Sequence, residues 1–244
     1  MRRPEVTRDA LFDGALPFDQ PRVGYRVNVD ALLLAAFAAV GRTARLVVDL
    51  GAGVGTIGLA LGHVGLARRV ALIERQAALV ALARDNLAEN GIAGDAIHCD
   101  LERQGLPATL AQRADLVVCN PPFFPAKAGT VGSRAPASRS GELAPFICAA
   151  RRALSGPRTR AAFCYPASAL AELLACADEA RLVPKRLRLV HTRADAPARL
   201  VLVELRIAKP GGLVVEPPLL EWASARVRSP ELLRIVRGEF GPKA

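Results

Sequence analysis

The sequence predicts a doubly wound α/β domain built on a seven-stranded, mostly parallel sheet whose last strand runs antiparallel. Three observations carry that expectation. From Arg45 onward, short apolar runs alternate with helix-like segments, the pattern of a parallel sheet covered on both faces. A glycine-rich turn at Gly51, Gly53 and Gly55 joins the first such run to the first such helix. Only residues 191–198 separate the last two runs, too few for a helical crossover, so that pair has to be antiparallel.

Residues 1–29 read as an N-terminal extension or hairpin, with Asp13-Gly14 as the turn between Leu11-Phe12 and Leu16, Phe18. Pro17 and Pro21 interrupt its second arm, and Val23, Tyr25, Val27 and Val29 then alternate. A continuous apolar helix follows over 31–40, with Asn28 or Asp30 as its N-cap. The main domain spans 30–210. Its strands are expected at 46–49, 70–73, 96–99, 115–119, 159–164, 185–190 and 199–207. Further helices are expected at 55–64, 76–90, 139–154 and 166–180, the second of them stopping at Asn90-Gly91. Residues 129–141, rich in Gly, Ser, Ala and Pro, read as a long mobile loop. Residues 211–244 read as a tail packing on the domain.

The chain has 244 residues, 51% hydrophobic and 23% charged, enough to bury its own core. Its longest apolar run, 31–40, is about half the length a bilayer crossing needs, and no apolar stretch follows Arg2-Arg3. A soluble, cytoplasmic protein without a membrane role is the expectation. The five cysteines, Cys99, Cys119, Cys148, Cys164 and Cys176, form no CxxC pair and have no His at metal-ligand spacing. They read as buried thiols in a reducing compartment, and no metal site is expected. A net charge of +10 suits a polyanionic partner. With only four lysines among the basic residues, an Arg-rich composition accounts for the same surplus.

Two motifs carry chemistry. Residues 46–56, LVVDLGAGVGT, form a buried strand ending in Asp49, a glycine turn, and a helix start with free N–H groups. A nucleotide-like cofactor fits there. Gly53-x-Gly55-x-x-Gly58 also matches a dinucleotide fingerprint, and Glu74 at the next strand end can accept from ribose hydroxyls in either case. Asp100, after the third strand, can accept from an adenine amine. The second motif, Asn120-Pro121-Pro122-Phe123, ends the fourth strand. An amine conjugated to a purine ring is a poor nucleophile. The Asn120 side-chain oxygen and the Pro121 carbonyl can hold its two N–H groups in a geometry that favours attack. Pro121 and Pro122 stiffen the turn, and Phe123 can stack on a base.

Together, Asp49 to Gly55 and Asn120 to Phe123 resemble the class I, Rossmann-like S-adenosylmethionine methyltransferases that modify planar amino groups. The stretch QPRVGYR at 20–26, NVDALLL at 28–34, PKRLRLVH at 184–191 and RLVLVE at 199–204 are similar to the bacterial tRNA(Val) adenine-N6 methyltransferase family. Asn28 stands where that family leads one to expect Ser or Thr. The resemblance implies that S-adenosylmethionine is the cofactor. Gly51, Gly53 and Gly55 would cradle its methionine part, with Asp49 and Asn120 beside it, Glu74 on its ribose, Asp100 on its adenine and Asp30 closing the pocket. It implies N6-methylation of adenine in a structured RNA, tRNA first, at Asn120, Pro121, Pro122 and Phe123. No obligate protein partner is implied. Arg134, Arg139, Lys185, Arg186 and Arg188 are the candidate RNA contacts. The alternatives are methylation of an rRNA guanine amine or a protein glutamine amide, an RNA-binding module without activity, and a nicotinamide oxidoreductase. The last lacks a recognisable catalytic Tyr-Lys or His pairing.

Overall fold

The computed structural model describes residues 5–23, 27–121 and 140–240. The chain opens with β1 (Val6–Leu11) and β2 (Leu16–Pro21), then α1 (Val29–Ala38), β3 (Val47–Leu50) and α2 (Thr56–His63). It continues through β4 (Val70–Glu74), α3 (Ala77–Glu89), β5 (Gly94–His98), α4 (Leu101–Gln104) and β6 (Leu116–Cys119). Then come α5 (Ser140–Ala153), β7 (Arg160–Pro166), α6 (Leu170–Glu179), β8 (Val183–His191) and β9 (Ala198–Arg206). The C-terminal part holds β10 (Val214–Val215), β11 (Leu219–Leu220), β12 (Trp222–Ser224), β13 (Val227–Arg228) and α7 (Pro230–Val236).

The expected doubly wound sheet is present, in the order β10-β8-β9-β7-β6-β3-β4-β5, with β11 also pairing β8. Strand β9 is antiparallel to both β7 and β8, while the other pairs are parallel. The sheet has nine strands rather than seven, because two short segments of the expected tail add to β8. Each is two residues long, below the length at which alternation can be read from sequence.

Alternation along each strand sorts side chains onto two cores. Val47, Leu72, Leu116, Val118 and Leu202 belong to the cluster that contains residues of α1, α2 and α3. Val48, Leu50, Val117, Phe163 and Val203 belong to the cluster that contains residues of α5 and α6. Strand order reverses at β3, with β4 on one side and β6 on the other. Ligand crevices open at the carboxyl ends of strands flanking such a reversal.

Asn28 caps α1, its side chain accepting from the Asp30 N–H at 3.1 Å. Ser and Thr serve a helix N-cap in the same way, so the departure at Asn28 preserves the local physics. Val29 is the first residue of this helix rather than the end of an alternating strand. The alternation expected over 23–27 lies in part, at 24–26, outside the described residues. Pro17 and Pro21 lie inside β2, opposite Ala10 and Val6. A two-stranded ribbon leaves one row of N–H groups unpaired, so proline is tolerated there. The helix expected at 166–180 is a 3₁₀ turn followed by α6, and Gly141 is helical. The rest of the loop expected at 129–141, up to Arg139, lies outside the described residues. Cys99, Cys119, Cys164 and Cys176 are buried, whereas Cys148 is exposed.

No helix among the described residues is long and apolar enough to cross a membrane. At Gly94, the first residue of the edge strand β5, an added Cβ would meet the Val70 carbonyl oxygen of β4 at 2.5 Å, and a main-chain atom paired in the sheet cannot step aside as a side chain can. Gly94→Ala should therefore cost about 1–3 kcal/mol of stability, the usual price of overpacking, read as a lower urea midpoint with an unchanged m-value.

Candidate active site

Strand β3 is wholly buried and delivers the chain to a turn in which Gly51, Gly53 and Gly55 all have positive φ. The Gly51 and Ala52 N–H groups both donate to the Ile73 carbonyl at 2.9 Å. At Gly55 and Gly58 an added Cβ would strike Leu72 at 2.6 and 2.5 Å, whereas at Gly53 it would meet nothing within 4 Å. The first pair keeps α2 tight on β4, and Gly53 borders open space.

Two carboxylates hold this turn from below. Glu74, closing β4, accepts from the Gly53 N–H at 3.0 Å and from the Gln76 N–H at 2.8 Å. Asp49 is fully buried, and its Oδ2 accepts from the Gly58 N–H at 3.1 Å while its Oδ1 has no hydrogen-bond partner. Burial pushes the Asp49 carboxyl up to about 7, the Gly58 N–H opposes that rise, and the nearby Glu74 charge adds to it. Asp49 thus underpins the loop instead of lining its outer surface. Asn86 of α3, also buried, donates to the carbonyls of Val54 and Asp19 at 3.1 and 3.0 Å and accepts from the Asp19 N–H at 2.8 Å. It joins the glycine turn to the N-terminal hairpin. Nothing in the linear sequence around Asn86 marks it for this role.

Asp100 caps α4, its Oδ1 accepting from the Glu102 and Arg103 N–H groups at 3.0 and 3.4 Å. Its own N–H donates to Gln104 Oε1 at 2.9 Å. Across the strand reversal, β3 and β6 pair Leu50 with Cys119. Gly51 and Asn120 are the next residues after this pair, so the two motifs leave adjacent strands at the same edge of the sheet. The Asn120 Oδ1 is buried and has no hydrogen-bond partner among the described residues, and Pro121, next in the chain, is buried too. Pro122 and Phe123 lie outside the described residues.

Asp30 lies in the first turn of α1, buried, and accepts from Arg199 Nη2 at 2.7 Å. The same guanidinium binds Glu221 in bidentate fashion at 2.9 and 2.6 Å. Burial works to lower the Arg199 pKa, but the bonds to Glu221 and Asp30 outweigh it and leave it raised. The sequence reading placed Asp30 at the pocket. It missed Arg199 and Glu221, which fix the Asp30 side chain, since they come from β9 and from the C-terminal segment.

The basic run in β8 is engaged within the fold. Lys185 Nζ donates to the carbonyls of Lys209 and Gly211 at 2.7 and 2.5 Å. Arg186 donates to the Phe37 carbonyl, lies 3.9 Å over the Phe37 ring, and faces Glu216 at 3.3 Å and Glu204 at 3.4 Å. Arg188 grips Glu231 through two bonds of 2.7 and 2.8 Å and donates to the Pro217 carbonyl at 2.9 Å. Because β8 runs parallel to β6 across β9 and β7, Lys185 and Arg186 lie at the amino edge of the sheet, opposite the edge that carries Asn120. The structure therefore does not bring them to the site. Arg134 and Arg139 lie outside the described residues.

Residues 28–136 match the profile of the methyltransferase small domain. The chain is 32% identical over 199 residues to a tRNA1(Val) (adenine(37)-N6)-methyltransferase of Porphyromonas gingivalis, a match covering 78% of each protein. Among solved structures it is similar to a predicted O-methyltransferase of Agrobacterium tumefaciens, with a TM-score of 0.70, 22% identity and coverage of 87% of this chain and 98% of that one. It is also similar to a T. thermophilus 16S rRNA N2 methyltransferase solved with AdoMet and guanosine. That match has a TM-score of 0.57, 20% identity and coverage of 84% of this chain and 50% of that one. At such identities the two structures bear on the fold alone.

The raised Asp49 carboxyl has a pH signature. A buried acid with a folded pKa near 7 against an ordinary 3.8 holds its proton longer in the folded state. Its effect on stability is neutral below pH 4 and becomes increasingly unfavourable from there to pH 7. Relative to Asp49→Asn, wild type should lose up to about 4 kcal/mol across that window. Urea unfolding of both proteins at each pH measures it, and parallel pH profiles would count against the buried, half-paired carboxyl.

Proposed function

We propose, on the premise that this chain belongs to the tRNA1(Val) (adenine(37)-N6)-methyltransferase family, that it methylates the exocyclic amine of adenine in a structured RNA, tRNA first, with S-adenosylmethionine as methyl donor. The chain is a methyltransferase by that membership. The observation that supports the finer reading is the buried, unpartnered Oδ1 of Asn120. An acceptor left without a donor in the interior costs roughly 1–3 kcal/mol, and an amine N–H arriving in the crevice removes that cost.

The residues present fit the cofactor. Gly53 borders space that any side chain would occupy. Glu74 uses one bond on each carboxylate oxygen, leaving lone pairs for ribose hydroxyls. Asp100 caps through Oδ1 alone, and its Oδ2, 3.8 Å from Arg103 Nε, keeps lone pairs that can accept from an adenine amine. The buried Glu74, joined by Asp49 in its ionised form above about pH 7, puts negative potential under the cradle, which suits a cationic ligand. S-adenosylmethionine supplies an electrophilic methyl group on a positively charged sulfur.

The chain's own part in the reaction is positioning. Asn120 Oδ1 and the Pro121 carbonyl accept the two amine N–H groups and direct the nitrogen lone pair at the methyl carbon. During methyl transfer these two acceptors would hold the partial positive charge that develops on the amine nitrogen. The surplus proton then passes to water, so no strong base is required. A base-paired adenine cannot reach such a crevice, so the target is unpaired or flipped.

Asn120→Ala should lower the single-turnover rate with saturating cofactor by about two to three orders of magnitude, the scale for one preorganised contact. Cofactor affinity, measured by calorimetry, should stay near wild type. An Asn120→Ala protein that methylates adenine-containing RNA at the wild-type rate would overturn the assignment. Glu74→Ala should separate the other way, weakening S-adenosylmethionine binding by roughly 1–3 kcal/mol. Equal calorimetric affinity in wild type and this variant would remove Glu74 from the cofactor site.

A further inference from the structure

Resting on the reading that the substrate is a structured RNA, we propose that the β12–β13 hairpin, together with residues 192–197, is the docking arm that grips the RNA strand flanking the target adenine.

The hairpin stands on the same edge of the sheet as Asn120. Strand β11 follows β8 to its carboxyl end, pairing Leu220 with His191. Beyond it the Glu221 N–H donates to the His191 carbonyl at 2.9 Å and the Trp222 N–H to the Thr192 carbonyl at 3.0 Å. Strands β8 and β6 are three steps apart in the sheet, which at about 4.8 Å per step is about 14 Å. That span matches two or three nucleotides of an extended strand. The arm's base is fixed: Glu221 is bound to Arg199, which also holds Asp30 at the start of α1. The Ser229 N–H closes the hairpin on the Glu221 carbonyl at 2.9 Å.

What the arm presents is suited to a polyanion with flat bases. Arg226, Val227 and Arg228 are exposed. Among the described residues neither Arg226 nor Arg228 has an acidic partner, in contrast to Arg186 and Arg188. The Arg228 guanidinium lies 3.9 Å over the Trp222 ring, so its plane is already oriented and its outer face is free to stack on a base or bind a phosphate. Arg193, next to Thr192, adds a further exposed cation shared with Asp195 at 3.1 Å. The acids next to this arm, Asp195, Glu221 and Glu231, are bound to Arg193, Arg199 and Arg188.

The test compares wild type with Arg226→Ala/Arg228→Ala and with Arg68→Ala/Arg113→Ala, which removes the same charge from exposed positions at the amino edge. Binding of a fluorescein-labelled tRNA is followed by anisotropy from 50 to 300 mM salt, and methyl transfer is measured in parallel. The hairpin variant should bind about tenfold more weakly, and its salt slope should be shallower by about 1.5, the effect of two lost phosphate contacts. Its KM for RNA should rise while its single-turnover rate at saturating RNA and its cofactor affinity stay within twofold of wild type. The amino-edge variant should bind as wild type does. Equal losses in both variants, or none in the hairpin variant, would overturn the arm while leaving methyl transfer to RNA intact. Wild type that binds tRNA without methylating it would overturn the catalytic reading, and the variant comparison would still decide the arm. Wild type that binds no RNA would overturn both.

Discussion

The turn from Leu50 into α2 places backbone N–H groups over the sheet edge, and two acids beneath it fix where they point. Glu74 takes the Gly53 N–H and Asp49 takes the Gly58 N–H. Both carboxylates are buried, and the Glu74 charge adds to the upward push on Asp49. Burying like charges together is unfavourable, so the loop geometry is obtained at the expense of an electrostatic load. That load is also what makes the crevice receptive to a cation. The same arrangement sets the position of the neighbouring parts: α2 can approach β4 only because Gly55 and Gly58 have no side chain to meet Leu72, and Asn86 carries the loop's position on to the N-terminal hairpin.

The antiparallel β9 has a second consequence for the site. Reversal of one strand brings Arg199, near its start, to the carboxyl edge, where it spans Asp30 and Glu221. It also brings Glu204, near its end, to Arg206, Arg160 and Arg186 at the amino edge. Much of the positive charge of this region is therefore consumed in ion pairs between β8, β9, α1 and the C-terminal segment. Such pairs contribute to fixing register more than to net stability, since each charge has been taken out of water.

Asn120 illustrates how a site departs from the rules that govern the rest of the interior. Buried polar groups are nearly always paired, and its Oδ1 is not. It directly follows β6, which fixes its backbone, and precedes the buried Pro121. On the proposed reading, an arriving amine N–H would supply the missing donor, the kind of preorganised contact that a reaction driven by alignment needs.

The sequence alone determined the strand–helix alternation from β3 to β9, apart from the short α4, the antiparallel last strand, and the two motifs at Gly51–Gly55 and Asn120–Pro121, because apolar runs, glycine turns and connection lengths are local properties. Capping at Asn28 and Asp100 was local as well, although only the first was read as a cap. The pairing of β10 and β11 with β8, the bond from Asn86 to the glycine turn, and the bridge of Arg199 between Asp30 and Glu221 join residues far apart in the chain. So does the fate of Arg186 and Arg188, whose charges looked free in a linear run and are neutralised by Glu204, Glu216 and Glu231. Only the tertiary structure decided which cations are spent on the fold and which stand at the edge beside Asn120, because long-range electrostatic pairing depends on strand direction and sheet order rather than on spacing along the chain.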